Sequence, residues 1–209
     1  MDNKQFHHHK QYKKYVNMLN PYIFDKAIKD FDGNTYTSVV IGTQTWLVEN
    51  LKTTHYNNGD AIGSDFSGTV GAVAQYPSAA VEYGKLYNQY AVDDIRGIAP
   101  IGYHVPSVAE YDTLIAYLGG VALAGGKMKE DGLTHWNFDA TGTNESGFTA
   151  IGAGVRNPSG GVFEYLKVYC DFWTTNSGAG KFLWMQSAFI DPFTGLDKKY
   201  GLTVRCIKD

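Results

Sequence analysis

Residues 107–120, Ser-Val-Ala-Glu-Tyr-Asp-Thr-Leu-Ile-Ala-Tyr-Leu-Gly-Gly, constrain the fold more than any other stretch of this chain of 209 residues. Ser107 and Glu110 have the spacing of a capping box, in which each side chain satisfies a backbone N–H left free at the helix start. Tyr111, Leu114, Ile115 and Leu118 then make one apolar stripe, and Gly119-Gly120 supplies the stop. The spacing predicts one main helix near 107–119.

The rest of the chain reads as strands and glycine loops. Asn34–Val48 has the pattern of a hairpin about a Gly42-Thr43 turn, with Val39 and Ile41 on one face of the first strand and Trp46 and Val48 on one face of the second. Residues 57–80 predict a long loop, 84–92 a strand running into a short helical turn, and 147–161 a glycine-rich crossing. Residues 162–172, 181–190 and 202–207 read as strands, with turns at 177–180 and 191–195. Alternation places Leu202, Val204 and Cys206 on one face, the core face. One helix among many strands, with no internal repeat and no second core, means a single α+β body. The 14% aromatic content and 24 glycines against six prolines exclude disordered, collagen-like and coiled-coil chains.

Charge divides the chain unevenly. Residues 1–30 carry six lysines and three aspartates, while the remainder carries 12 basic against 18 acidic residues. The division is therefore a basic arm, 1–30, on an acidic body, 31–209. Tyr12, Tyr15, Val16 and Leu19 fall on one face of a short helix that ends near Pro21, flanked by Lys10, Lys13 and Lys14. This set predicts a docking arm for other protein subunits of an assembly. His7, His8 and His9 read as a solvated tract rather than a metal site. The start lacks the apolar stretch of about 7–15 residues that a secretory leader needs. The net charge of −3 makes no case for nucleic acid. No apolar run of about 18 residues is present, so no membrane span is expected.

No catalytic pattern stands out. No Gly-x-Ser-x-Gly elbow surrounds a serine, and no glycine pair has the phosphate-loop spacing. Cys170 and Cys206, in Tyr-Cys-Asp and Arg-Cys-Ile, read as buried thiols. Neither a metal nor a cofactor is expected. Trp136 and Trp184 have faces suited to stacking, and with Asn144, Asn157, Asp191 and Phe193 they lie in or beside the long loops. These six form the expected ligand-contact set. Asn144-Glu145-Ser146 is also a glycosylation sequon.

Five blocks carry a resemblance: residues 30–59, 84–92, 100–120, 144–156 and 200–206. In this order they resemble the Fibrobacter succinogenes major paralogous domain, over roughly residues 30–208. The resemblance implies a C-type-lectin-like architecture with mixed and antiparallel strands, similar to the sulfatase-modifying-factor group. It implies no catalytic residues. The family block usually opens Cys-Pro, whereas this chain has Ala99-Pro100, so the family's implied partner of Cys206 is missing. Gln89 stands where the family commonly has Trp. Members enter the envelope through a leader; a missing leader and a missing disulfide agree with folding in a reducing cytoplasm.

The expected function is a non-enzymatic structural and binding module. It is expected in a phage virion, made in the host cytoplasm, docked through residues 1–30 and displaying loops to a host-surface glycan or protein. The alternative is a secreted or lipid-anchored cell-surface adhesin or glycan-binding protein. An enzyme of the formylglycine-generating type, which needs two active-site cysteines and copper, ranks below both.

Overall fold

The structure is a computed structural model that describes residues 27–138, 141–184 and 187–209. Lys10, Tyr12, Lys13, Lys14, Tyr15, Val16 and Leu19 lie outside the described residues.

The body opens with a ribbon of β1 (Ile28–Lys29) and β2 (Thr35–Tyr36). Asp30 closes it, its carboxylate accepting from Asn34 N at 3.0 Å and from the Tyr36 hydroxyl. Residues 28–30 therefore pack as part of the body, and the boundary expected at 30/31 moves ahead of Ile28. The hairpin at 34–48 forms as expected from β3 (Ser38–Ile41) and β4 (Gln44–Leu47), with Val39 paired to Trp46. Within the stretch expected as one long loop, 57–80, β5 (Val73–Ala74) forms and pairs with β6 (Leu86–Tyr87), a correction to that reading. Asn88 then caps the short helix α1 (Gln89–Val92), its side chain accepting from Ala91 N.

β7 (Tyr103–His104) leads into α2 (Val108–Tyr117), and both halves of the capping box are made. A second helix, α3 (Val121–Met128), follows at once and is a correction to the reading of one main helix. Gly125 and Gly126 disguise it in the sequence, because glycine costs a helix interior about 1 kcal/mol. They are present for space. A Cβ on Gly125 would lie 2.7 Å from the Ala188 carbonyl, and one on Gly126 would lie 2.6 Å from the Thr141 carbonyl.

The C-terminal half supplies β8 (Ala153–Arg156), β9 (Phe163–Leu166), β10 (Tyr169–Trp173), β11 (Gly180–Trp184), β12 (Ile190–Phe193) and β13 (Ile207–Lys208). Two corrections arise here. The single strand expected at 162–172 is broken between β9 and β10, where Tyr165 and Lys167 adopt left-handed backbone at φ 63° and 61°. The turn expected at 191–195 begins later, since Asp191, Pro192 and Phe193 belong to β12. That strand is a sheet edge, where the N–H that proline lacks is not missed.

Among the described residues the larger sheets run β12-β11-β10-β8-β9 and β3-β4-β13-β7. The first is mixed, with β8 and β10 parallel; the second joins the N-terminal hairpin to the C-terminal strand through Ile207 opposite Trp46. Residues 202–206 run between them with every side chain buried. This segment forms no long ladder. Instead it bridges β6 through Leu202 and β10 through Thr203, and its carbonyls at Val204 and Cys206 accept from Leu51 and Leu47. Leu202, Val204 and Cys206 face one apolar cluster with Leu47, Tyr87, Val155 and Trp173. Trp46, Tyr111, Leu114, Phe148, Phe172 and Cys170 belong to a second, and Tyr83, Ile151 and Ala153 form a smaller third.

Candidate functional site

At the end of α2 the chain turns on Gly119 and Gly120, which adopt φ 102° and 91°, and α3 doubles back. The turn 143–147 is bonded to the C-terminal half of α3: Thr143 N donates to the Gly126 carbonyl at 2.9 Å and Asn144 N to the Lys129 carbonyl at 3.0 Å. Ser146 N and Oγ both reach the Lys127 carbonyl, at 3.1 and 2.8 Å. These bonds bring Glu145 beside Lys127, with the carboxylate 3.6 Å from Nζ. The exposed part of β3 stands opposite. Between them lies a cleft of about 340 Å³ lined by Val40, Ile41, Tyr117, Leu118, Lys127, Glu145 and Ser146.

Each wall follows from a local rule. Ile41 and Leu118 are buried and give the cleft an apolar floor continuous with the core cluster around Trp46. Tyr117 lies off the apolar stripe of α2 and is 66% exposed. Its ring lies against Gly42, where a Cβ would come within 2.9–3.2 Å of three ring atoms. Gly42 also has φ 62°, so a tight two-residue turn and the seat of the tyrosine ring are one requirement. Ser146 Oγ donates to Lys127 O and accepts from Phe148 N, which makes the hydroxyl a pin for the turn. The cleft offers one aromatic face, an apolar floor and an adjacent donor and acceptor of opposite charge.

The residues expected to contact ligand are not brought together. Asn144 stands beside the cleft, but its amide serves the turn: Oδ1 accepts from Thr149 N at 2.9 Å and Nδ2 donates to Thr149 Oγ1 at 3.0 Å. Trp136 is a correction. It is wholly buried in the core, its indole N–H donating to the Ala150 carbonyl at 3.1 Å. Asn157 directly follows β8, where its Oδ1 accepts from Ser159 N and its Nδ2 donates to Glu164 Oε2. Asp191 is exposed on β12, while Phe193 packs edge-on against Trp173 at 5.9 Å. Trp184 ends β11, opposite Tyr169. The sequence reading missed Tyr117, Lys127 and Val40. Its available signal was a large aromatic placed off the buried stripe of an otherwise well-patterned helix.

The thiols take no part in the cleft. Both cysteines are free and buried, and they lie in different core clusters. Burial pushes the Cys170 thiol up to about 12 and holds Cys206 higher still. Ala99, where the resemblance places a cysteine, packs in the same cluster as Cys206. Among the described residues, no helix is long and apolar enough to cross a membrane.

These features define an α+β body of open, mostly antiparallel sheets with a cleft at the β3–α2–α3 corner. The chain belongs to the Fibrobacter succinogenes major domain family, whose model matches residues 39–208. No curated protein and no solved structure matches the chain.

Proposed function

We propose that this chain is a non-enzymatic binding module of C-type-lectin-like architecture, a phage virion component that docks through its basic arm and offers the β3–α2–α3 corner to a host surface. The observation that carries the binding reading is the cleft, where an exposed tyrosine and an opposed charge pair are held by backbone bonds. The lectin-like architecture is supported by the pairing of the N-terminal hairpin with β13 and by the capped helix that follows β7. Assembly in a reducing compartment is supported by two thiols that stay free in separate clusters. Docking is supported by the charge contrast between arm and body.

Two measurements test the reading. Fluorescently labelled full-length chain is expected to bind intact bacterial host cells, and Tyr117→Ala is expected to weaken that binding at least about tenfold, as loss of a stacking contact does. Equal binding by the variant overturns the assignment of the cleft. Deleting residues 2–26, which spares β1, is expected to leave the far-ultraviolet circular dichroism of the body intact and to abolish incorporation into particles. Normal incorporation of the shortened chain overturns the docking role and favours a cell-surface adhesin.

A further inference from the structure

We infer that the cleft takes a neutral, polyhydroxylated ring, a single hexopyranose unit of a glycan. This inference rests on the binding reading above and names the ligand class of the same site.

Size sets the first limit. At about 340 Å³ the cleft stands at the small end of ligand pockets, which run from about 300 to 1,000 Å³. It has room for one ring rather than for a dinucleotide or a folded peptide segment.

Surface chemistry sets the second. Tyr117 gives the cleft a flat aromatic wall, and its ring lies against the backbone at Gly42. Ile41 and Leu118 continue that surface below it. A pyranose has a matching face, since the axial C–H groups on alternate carbons, such as C1, C3 and C5 of a β-gluco ring, line one side of it. An aliphatic chain would leave the polar wall unpaired at a desolvation cost.

Charge sets the third. Lys127 donates only and Glu145 accepts only, and they stand 3.6 Å apart. Their charges cancel at long range and act separately on a ligand in contact. A carboxylate or phosphate entering the cleft gains Lys127 but meets Glu145, and an amine meets the reverse. A pair of neighbouring hydroxyls does neither: one accepts from Nζ while the other donates to the carboxylate. The opposed pair thus selects against ions of both signs while serving a neutral diol. Ser146 adds no reactive group, because its hydroxyl is held between Lys127 O and Phe148 N. The bound ring leaves unchanged.

The test is a titration of the ¹⁵N-labelled full chain with three probes at one ionic strength: a methyl hexopyranoside, the matching hexuronic acid and the matching hexosamine. The neutral ring is expected to shift the amides of Tyr117, Lys127 and Glu145 with a dissociation constant on the order of 1 mM, the range for so small a ligand. The two charged probes are expected to bind at least about threefold more weakly. Tyr117→Ala is expected to remove the shifts, and its remaining spectrum reports that it folds. Glu145→Gln is expected to reverse the preference in favour of the uronic acid, an effect that a purely structural role for Glu145 does not produce. Tighter binding of either charged probe to the unaltered chain overturns the neutral-ring inference and leaves the cleft a binding site. If no probe shifts these amides, the inference falls. In that case, Tyr117-dependent binding to cells decides separately whether the cleft still binds something else.

Discussion

Arg205 is a buried cation that has carbonyl oxygens where an ion partner would be expected. Its Nε and Nη2 donate to Asn50 Oδ1 at 3.2 and 2.8 Å, and Nη1 reaches the carbonyls of Leu47 and Phe148. The guanidinium lies over the Phe148 ring at 4.4 Å. Burial drives its pKa down to about 10, which still leaves it charged at neutral pH. One side chain therefore ties β4, the loop at Asn50 and the 143–149 turn to the central segment. Arg205→Met keeps the bulk and removes the donors, stranding several acceptors; the expected cost is about 2–4 kcal/mol in chemical denaturation. A loss below about 1 kcal/mol would show that water replaces the guanidinium. Asp171 is the opposite case. Its Oδ1 is shut away from water without a partner, and burial raises the carboxyl from 3.8 to about 7. Between these values the native state holds a proton that the unfolded chain has released. Stability from this group therefore falls as pH rises from about 4 to about 7 and is level above that. The expected loss is on the order of 4 kcal/mol, and Asp171→Asn is expected to flatten that part of the stability–pH curve. An unchanged slope in the variant would assign the pH dependence to other groups. Neither residue's situation could be read from a sequence pattern, because a lone Arg or Asp inside an apolar run does not state who its neighbours are.

At the scale of elements, local signals worked where one short stretch contains the whole cause. The capping box at Ser107 and Glu110 specifies the start of α2 because both partners lie within one turn. The same holds for Gly42-Thr43 between β3 and β4, and for Asn88 before α1. The reading failed where the cause is tertiary. Tyr165 and Lys167 take left-handed backbone without being glycine, in a segment that runs so close to Gly152 and Gly154 that a Cβ there would lie 2.8 Å from Lys167 Cα and 2.9 Å from Leu166 N. α3 was obscured by two glycines that serve the chain crossing it at Ala188. This inverts the usual expectation for substitution. Alanine favours a helix over glycine by about 1 kcal/mol, yet Gly125→Ala is expected to destabilise the protein by about 2–3 kcal/mol through collision with the carbonyls of Ala188 and Phe189. Thermal denaturation of the variant checks the sign, and a raised melting temperature would mean that the crossing yields. The candidate site shows the same division. Gly42 was legible as a turn residue, but its second role as the seat of Tyr117 depends on where α2 ends up.

At the scale of the whole molecule, two apolar clusters share one strut. Leu202, Val204 and Cys206 belong to one cluster and Ile207 to the other, while Thr203 Oγ1 donates to the Asp171 carbonyl in β10. Clusters joined through one buried segment are expected to open together. Cys170 and Cys206 sit one in each, so under native conditions both thiols are expected to react with a thiol reagent slowly and at the same rate. Rates that differ by more than about tenfold would mean that the clusters open separately, about 1.4 kcal/mol apart. The same strut has a consequence for biosynthesis. Arg205 and Asn50 are 155 positions apart, and at about 5–20 residues per second the ribosome adds one roughly 8–30 s after the other. Through that interval the β4 edge that later receives Ile207 stands unpaired on the nascent chain. An open edge of this kind is where aberrant strand pairing begins, so those seconds are when a chaperone has most to protect.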